Sequence, residues 1–164
     1  MHEVIVACVD GSKGGYAALA EAAELAKRFG ASLIVLSVEE GLPRYAATMG
    51  EVDEFTREKD RYFESVGAEA SRIAAERGLT TRHEVRVGHA ADQIVRFVDE
   101  VNADLVVLGY KGHSRIAEFV IGNTAHKVNA YSKASVLVVK PAGASPTEGD
   151  APADGRTAER SESE

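Results

Sequence analysis

Short apolar runs, each followed by turn-forming residues, recur along the first 140 residues of the chain. Their length and their content of valine, isoleucine and leucine are typical of strands buried in a parallel sheet. One run alternates charged with smaller or apolar residues, as a strand with one exposed side or a strand at a sheet edge would. The predicted strands are Val4–Val9, Ser32–Val38, Thr81–Val87 (the alternating run), Leu105–Leu108 and Val136–Val139.

Between these runs, apolar residues recur at spacings of three and four, which places them on one face of a helix. Four such segments are present, and a glycine follows each of the first two at the position of a helix end. Residues 39–50, with two glycines and a proline, predict a loop before the second helix. The predicted helices cover residues 16–29, 52–77, 91–101 and 122–131.

Strict alternation of strand and helix favours a parallel sheet with helices on both faces, because right-handed crossovers leave few other topologies. The sequence therefore predicts a doubly wound, Rossmann-like α/β fold with an open five-stranded parallel sheet and four helices. We place this domain at residues 1–141. Residues 142–164 hold no large apolar residue and six acidic residues against two arginines, so we expect a disordered acidic tail.

Composition and charge argue against several classes of protein. A formal net charge of −7 disfavours nucleic acid as a partner, because affinity for the phosphate backbone comes from clustered lysine and arginine. No apolar run approaches the ~20 residues of a membrane-spanning helix. The single cysteine, Cys8, cannot form an internal disulfide, and the first residues lack the pattern of a secretory signal. We expect a cytoplasmic protein without membrane contact.

Ligands of open parallel sheets bind past the carboxyl ends of the strands, at the point where the winding reverses direction. Three segments of this chain are predicted to lie at that edge of the sheet. They are Asp10–Gly15 after the first strand, Ser37–Glu40 after the second, and Gly109–Thr124 after the fourth.

The glycines of the third segment are spaced by two and then by nine residues, at Gly109, Gly112 and Gly122. Glycine lets backbone N–H groups approach an anion, and Gly122-Asn123-Thr124 opens a helix whose free N–H groups attract phosphate oxygens. Three basic residues against one acidic residue between positions 109 and 127 also favour an anionic ligand. The same glycines would equally suit a strand end, a turn and a helix start in a fold without a ligand.

This glycine spacing, with a small polar residue after the last glycine, resembles the ATP-binding signature of the universal stress protein family. The similarity covers most of the chain. It includes Val9-Asp10-Gly11-Ser12 at the end of the first strand, a long loop after the second strand, and the closing sequence Ala134–Val139.

The resemblance implies ATP as the ligand, with AMP and ADP as alternatives and Mg²⁺ as an accompanying ion, and a homodimer paired through Val136–Val139. It places Asp10 and Val38 at the adenine and ribose, with Val38 contributing backbone groups. Asn123 stands where serine is common in the family. The residues implied to surround the nucleotide are Asp10, Gly11, Ser12, Val38, Gly109, Gly112, His113, Gly122, Asn123 and Thr124.

Motifs for other chemistry are absent from the sequence. It has no P-loop, no Gly-x-Gly-x-x-Gly, no Gly-x-Ser-x-Gly and no paired histidines at metal-binding spacing. Asp10 is the only carboxylate expected in the pocket. We interpret Cys8 as a small core residue in the middle of a strand. The helical stripe is interpreted as core packing, and it consists of Phe55, Tyr62, Phe63 and Val66.

We therefore interpret the chain as an ATP-binding regulatory protein of the stress response and not mainly as an enzyme. Two alternatives stay open: a dimeric adaptor that binds no nucleotide, and an enzyme on the related scaffold that cleaves ATP between its α and β phosphates. Such enzymes carry a Ser-Gly-Gly-x-Asp-Ser loop after the first strand, which Asp10–Gly15 does not match.

Overall fold

The computed structural model of the chain describes residues 3–41, 48–110 and 122–140. Within these ranges, five strands alternate with four helices, and each lies at the predicted place in the sequence. The elements are β1 (Val4–Cys8), α1 (Lys13–Phe29), β2 (Ser32–Glu39), α2 (Met49–Ala75), β3 (Thr81–Val87), α3 (Ala90–Glu100), β4 (Leu105–Gly109), α4 (Asn123–Tyr131) and β5 (Ser135–Val139).

The five strands form one sheet in the order β3-β2-β1-β4-β5, and all four neighbouring pairs are parallel. The chain adds strands on one side of β1 up to β3 and then returns to add β4 and β5 on the other side. The winding therefore reverses between β1 and β4, which confirms the doubly wound α/β class. The alternating run, β3, is an edge strand.

Helices cover both faces of the sheet. Alternate residues of β1 face opposite layers, so Ile5 and Ala7 pack with α1 and α2, whereas Val6 packs with α3 and α4. All three side chains are fully buried. Burial of a Val or Ile side chain stabilises the fold by about 1.5–3 kcal/mol. This two-sided burial is why the central strands read as unbroken apolar runs.

Capping fixes the end of α1 and the start of α2. Gly30 adopts φ +66°, the left-handed conformation of a helix C-cap, and its N–H donates to the carbonyl of Ala26. At the start of α2, Thr48 and Glu51 form a reciprocal capping box. The helix therefore begins at Met49, three residues before the predicted start at Val52.

Some predictions lie outside the described residues. The acidic tail at 142–164 and the part of the glycine-rich segment that holds Gly112 and His113 belong to this group. Among the helices that are described, none is both long and apolar enough to cross a membrane.

Candidate functional site

A cavity of about 930 Å³ opens at the carboxyl ends of β1, β2 and β4, where the winding of the sheet reverses. The predicted site residues divide into three groups. Gly112 and His113 lie outside the described residues, and Gly11 adjoins the cavity without lining it. Those that line the cavity are Asp10, Ser12, Val38, Gly109, Gly122, Asn123 and Thr124.

The turn between β1 and α1 fixes the side chain of Asp10. The Asp10 carboxylate oxygen Oδ1 accepts hydrogen bonds from the Ser12 N–H at 3.0 Å and from the Ser12 hydroxyl at 2.5 Å. The Ser12 Oγ in turn accepts from the Gly15 N–H at 3.1 Å and caps α1. The sequence Asp-Gly-Ser thus builds a closed turn that holds a carboxylate at the cavity wall.

Gly11 is the one residue of this turn that requires glycine. Its φ of +83° is rarely adopted by other residues. A Cβ at this position would also meet the Tyr62 hydroxyl and approach Val66 Cγ2 to 3.2 Å. The Tyr62 hydroxyl donates to the carbonyl of Asp10, and burial, with the nearby Asp10, raises the pKa of Tyr62, so it stays a donor. The turn therefore packs directly against α2.

The backbone of Val38 faces the cavity. The Leu36 carbonyl accepts from the Val9 N–H at 2.9 Å, so Leu36 points its backbone groups toward β1. Backbone direction repeats every two residues along a strand, so Val38 points the same way. The pairing of β1 with β2 ends at Cys8. Past that end, the N–H and C=O of Val38 offer a donor and an acceptor to a ligand.

The start of α4 presents backbone N–H groups at the opposite wall. The Gly122 N–H donates to the Tyr110 carbonyl at 3.1 Å and anchors the helix start to the chain after β4, so the amides that remain for a ligand begin at Asn123. The N–H groups of Asn123, Thr124 and Ala125 have no partner within the helix, and the N-cap residue, Gly122, has no side chain to cap them. Three amides at the positive end of a helix suit an anion.

Gly109 is required by packing. A Cβ at this position would lie 2.7 Å from both the carbonyl carbon and the carbonyl oxygen of Gly14, in the first turn of α1. Backbone atoms cannot move aside as a flexible side chain can. Gly109 therefore lets α1 approach the end of β4. From the sequence we had expected this glycine to let backbone N–H groups approach an anion.

The first half of α2 forms a wall of the cavity. The interpretation of the aromatic stripe as core packing is confirmed for Phe63 and Val66, which are buried. It is wrong for Phe55 and Tyr62, which line the cavity without being buried. The Lys59 ammonium lies 5.4 Å from the centre of the Phe55 ring. The stripe continues past the part of α2 that covers the sheet, so its first residues face the cavity.

Charged side chains surround the cavity unevenly. Glu40 and Glu58 line it together with Asp10, so the expectation of a single carboxylate is wrong. Lys59 is the one basic residue among the described residues of the lining. Within the described ranges, no group of three or more histidine, cysteine, aspartate or glutamate side chains is arranged to hold a metal ion.

Cys8 lies at the floor of the cavity. It is the last residue of β1, so its placement in the middle of a strand is wrong, and it packs against the core on the α3 side of the sheet while lining the cavity. Burial of the thiol, with the nearby Asp10, raises the pKa of Cys8 to about 12. The side chain is therefore a neutral thiol at physiological pH and presents a small, weakly polar surface to a ligand.

Behind the cavity, β3 contacts β2 through a partly buried hydrogen bond between side chains. Ser37 donates from Oγ to the Val9 carbonyl at 2.6 Å, and its Oγ lies 2.8 Å from His83 Nε2. The Ser37 hydroxyl has one hydrogen, which it donates to the Val9 carbonyl. In the second bond His83 is therefore the donor, from Nε2. Burial lowers the pKa of His83 below its ordinary value of 6.5, while Glu84 opposes the shift. No sequence pattern pointed to this pair.

The lowered pKa of His83 predicts that stability falls in acid. At a pH between the pKa of His83 in the folded chain and its pKa in the unfolded chain, the unfolded chain binds more protons. The contribution of neutral His83 to the free energy of unfolding is therefore complete above pH 6.5 and is lost as the pH falls below it. The slope is at most about 1.4 kcal/mol per pH unit. Urea unfolding at pH 7.5 and 5.5 measures it. His83→Gln keeps a donor and should lose part of the slope; an unchanged slope would contradict the assignment.

Comparisons with known proteins identify the relatives of this chain. The model of the universal stress protein family matches residues 1–140. Universal stress protein YxiE of Bacillus subtilis is 29% identical over 148 residues, which cover 85% of this chain and 100% of that protein.

Two solved structures share the fold. A universal stress protein crystallised in complex with cAMP matches with a TM-score of 0.65 and 26% identity, over 84% of this chain and 97% of the other. The UspA protein of Lactobacillus plantarum matches with a TM-score of 0.75 and 22% identity, over the same shares, 84% and 97%. Since the family model spans the sheet and all four helices, the chain belongs to the universal stress protein family.

Proposed function

We propose that this protein binds an adenine nucleotide, ATP in the first place, in the cavity at the carboxyl ends of β1, β2 and β4. The observation that carries the proposal is the pairing of the Val38 backbone on one wall with the α4 amides on the other. A relative of 26% identity was crystallised in complex with cAMP. In this proposal the nucleotide acts as a regulatory ligand.

The β2 side of the cavity suits an adenine ring. The surface of the cavity as a whole is mainly apolar, and on this side Val38 supplies the one donor and one acceptor that a purine edge requires. Pockets for small ligands combine such apolar walls with a few placed polar groups. The apolar residues that line the cavity include Cys8, Leu36, Phe63, Ile94 and Leu108.

The α4 side suits phosphates. Hydrogen bonds to a charged group contribute about 1.5–3 kcal/mol each. The amides of Asn123, Thr124 and Ala125 can supply several. The carboxylate of Asp10 would repel a phosphate and fits the ribose hydroxyls better. Where Mg²⁺ accompanies ATP, phosphate oxygens and water would be its main ligands.

Native mass spectrometry of the purified protein tests the proposal. We expect a fraction of the protein to carry a nucleotide and the remainder to take up added ATP with one nucleotide per chain. Protein that neither carries nor takes up a nucleotide would favour the adaptor alternative. Chromatography after incubation with ATP separates binding from catalysis: the proposal expects ATP to be recovered, whereas repeated turnover to ADP or AMP would show an enzyme.

Substitutions at the start of α4 should differ in their effect on ATP affinity. Among the described residues, a Cβ at Gly122 would meet only the Tyr110 carbonyl oxygen, at 3.4 Å, so we expect a side chain here to be accepted and to intrude on the cavity. Gly122→Val is therefore expected to weaken binding about tenfold or more. Asn123→Ser keeps the backbone N–H and should change affinity less than threefold. Calorimetry measures both, and equal affinity of Gly122→Val and the parent would contradict the proposed position of the ligand.

We further propose a homodimer paired through β5. Ser135 donates its N–H to the Asp104 carbonyl and Val139 accepts from the Tyr110 N–H, so these residues point their backbone groups toward β4. By the two-residue period, Val136 and Val138 point theirs outward from the sheet edge. An apolar edge strand without charge or proline is a template for pairing.

Val138→Pro should dissociate the proposed dimer. Proline removes an outward N–H and leaves the bonds to β4 intact. Sedimentation should show a dimer for the parent and for Val138→Ala, and a monomer for Val138→Pro at the same micromolar concentration. A monomeric parent, or a dimer that persists in Val138→Pro, would rule out pairing through β5.

A further inference from the structure

Two backbone carbonyls next to the proposed nucleotide site are held by side chains from other elements. Ser37 of β2 donates to the carbonyl of Val9, and Tyr62 of α2 donates to the carbonyl of Asp10. We propose that Ser37 and Tyr62 are positioning residues that fix the Asp10 carboxylate for nucleotide binding. This inference rests on the proposed function and extends it to residues outside the predicted site.

Ser37 continues the contact between β1 and β2 beyond the last paired residue of β1. The pairing of the two strands ends with Cys8 opposite Leu36, and the Val9 N–H still donates to the Leu36 carbonyl. The Ser37 hydroxyl donates a hydrogen bond to the Val9 carbonyl, at 2.6 Å. Both backbone groups of Val9 are therefore held by β2, which fixes the direction in which the chain leaves for Asp10.

Ser37 is itself supported from behind. His83 of β3 donates from Nε2 to the Ser37 oxygen, which keeps the hydroxyl hydrogen on Val9. Gly67 of α2 allows the ring to sit there, because a Cβ at Gly67 would lie 2.5 Å from His83 Nδ1. Ser37 is 1% exposed and does not line the cavity, so its side chain can influence a ligand only indirectly, through the backbone that it holds.

Tyr62 holds the next carbonyl from the other side of the turn. Its hydroxyl donates to the backbone carbonyl of Asp10. Its ring and the Val66 side chain occupy the space beside Gly11, whose φ is +83°. The Asp10 carboxylate is oriented within the turn by the Ser12 N–H and hydroxyl. Successive carbonyls, at Val9 and Asp10, are thus anchored to β2 and α2. Loss of either anchor is expected to widen the range of positions of the carboxylate.

The experiment compares ATP affinity and melting temperature in Ser37→Ala, Tyr62→Phe and a control, Tyr131→Phe. Tyr131 is 74% exposed at the end of α4 and does not line the cavity. We expect about three- to tenfold weaker binding in Ser37→Ala and Tyr62→Phe, since each loses the hydrogen bond that anchors a carbonyl of the turn, and unchanged binding in Tyr131→Phe. Because Ser37→Ala should also melt lower, its affinity is measured well below its melting temperature.

The outcomes separate the inference from the proposed function. Weaker binding by folded Ser37→Ala supports the inference, because this side chain cannot touch the nucleotide. Affinity of Ser37→Ala within twofold of the parent overturns it, while the proposed function stands. A parent that does not bind ATP contradicts the proposed function and the inference with it. Should Ser37→Ala fail to fold, hydrogen exchange at the Ser12 amide of ligand-free Tyr62→Phe decides: faster exchange supports the inference, and unchanged exchange overturns it.

Discussion

Val38→Pro is expected to weaken ATP binding at least about tenfold while the fold is retained. The N–H that proline removes points past the end of β1 into the cavity, so no bond between β2 and β3 is lost. The proline ring also occupies the space into which that N–H donates. The purine acceptor that loses the Val38 N–H stays buried and finds no water to replace it. The loss of binding free energy is therefore larger than the net contribution of one hydrogen bond.

The matched control is Val38→Ala, which shortens the side chain and keeps the N–H. Calorimetry with ATP and GTP gives both the affinity and the preference for adenine. The parent and Val38→Ala should prefer ATP, because a donor and acceptor pair at fixed positions distinguishes the two purine edges. Val38→Pro should lose most of this preference. Equal ATP affinity in Val38→Pro and Val38→Ala would show that the base does not contact β2.

Gly109→Ala is expected to lower the free energy of unfolding by about 1–3 kcal/mol, the range typical of an added methyl group in a close-packed site. The added methyl group would lie 2.7 Å from the carbonyl carbon and oxygen of Gly14. The first turn of α1 would have to move away from β4 to admit it. Urea unfolding monitored by circular dichroism measures the change.

Gly50→Ala is the control for this prediction. Gly50 lies in the first turn of α2, and a Cβ there meets nothing within 4 Å. The same chemical change should therefore be neutral or stabilise the helix by up to about 1 kcal/mol. A Gly109→Ala protein as stable as the parent would contradict the close approach of α1 and β4.

The elements of the fold could be predicted from local sequence. Each central strand is buried on both faces and reads as an apolar run, and Gly30 and Gly78 mark helix ends through positive φ. The doubly wound parallel class followed from the alternation of strand and helix, since crossovers have one hand. These features depend on residues close together in the sequence, so a single sequence is enough to find them.

Parts of the site depend on contacts between distant segments and were not predictable from the pattern. The bond from Tyr62 to Asp10 joins residues 52 positions apart, and the bond between Ser37 and His83 joins residues 46 positions apart. Periodicity placed Tyr62 on the apolar face of α2 but could not show where that helix passes the end of the sheet. The use of the Gly122 N–H by Tyr110 likewise depends on tertiary geometry.

The central claim is that an adenine nucleotide binds where β1, β2 and β4 end. Nuclear magnetic resonance of the ¹⁵N-labelled protein during titration with ATP tests both the binding and its position. The account predicts saturable shifts at the amides of Asp10, Val38 and residues 123–125, with the amides at the opposite ends of the strands unchanged. Absence of shifts at saturating ATP, or shifts confined to another surface, would contradict it.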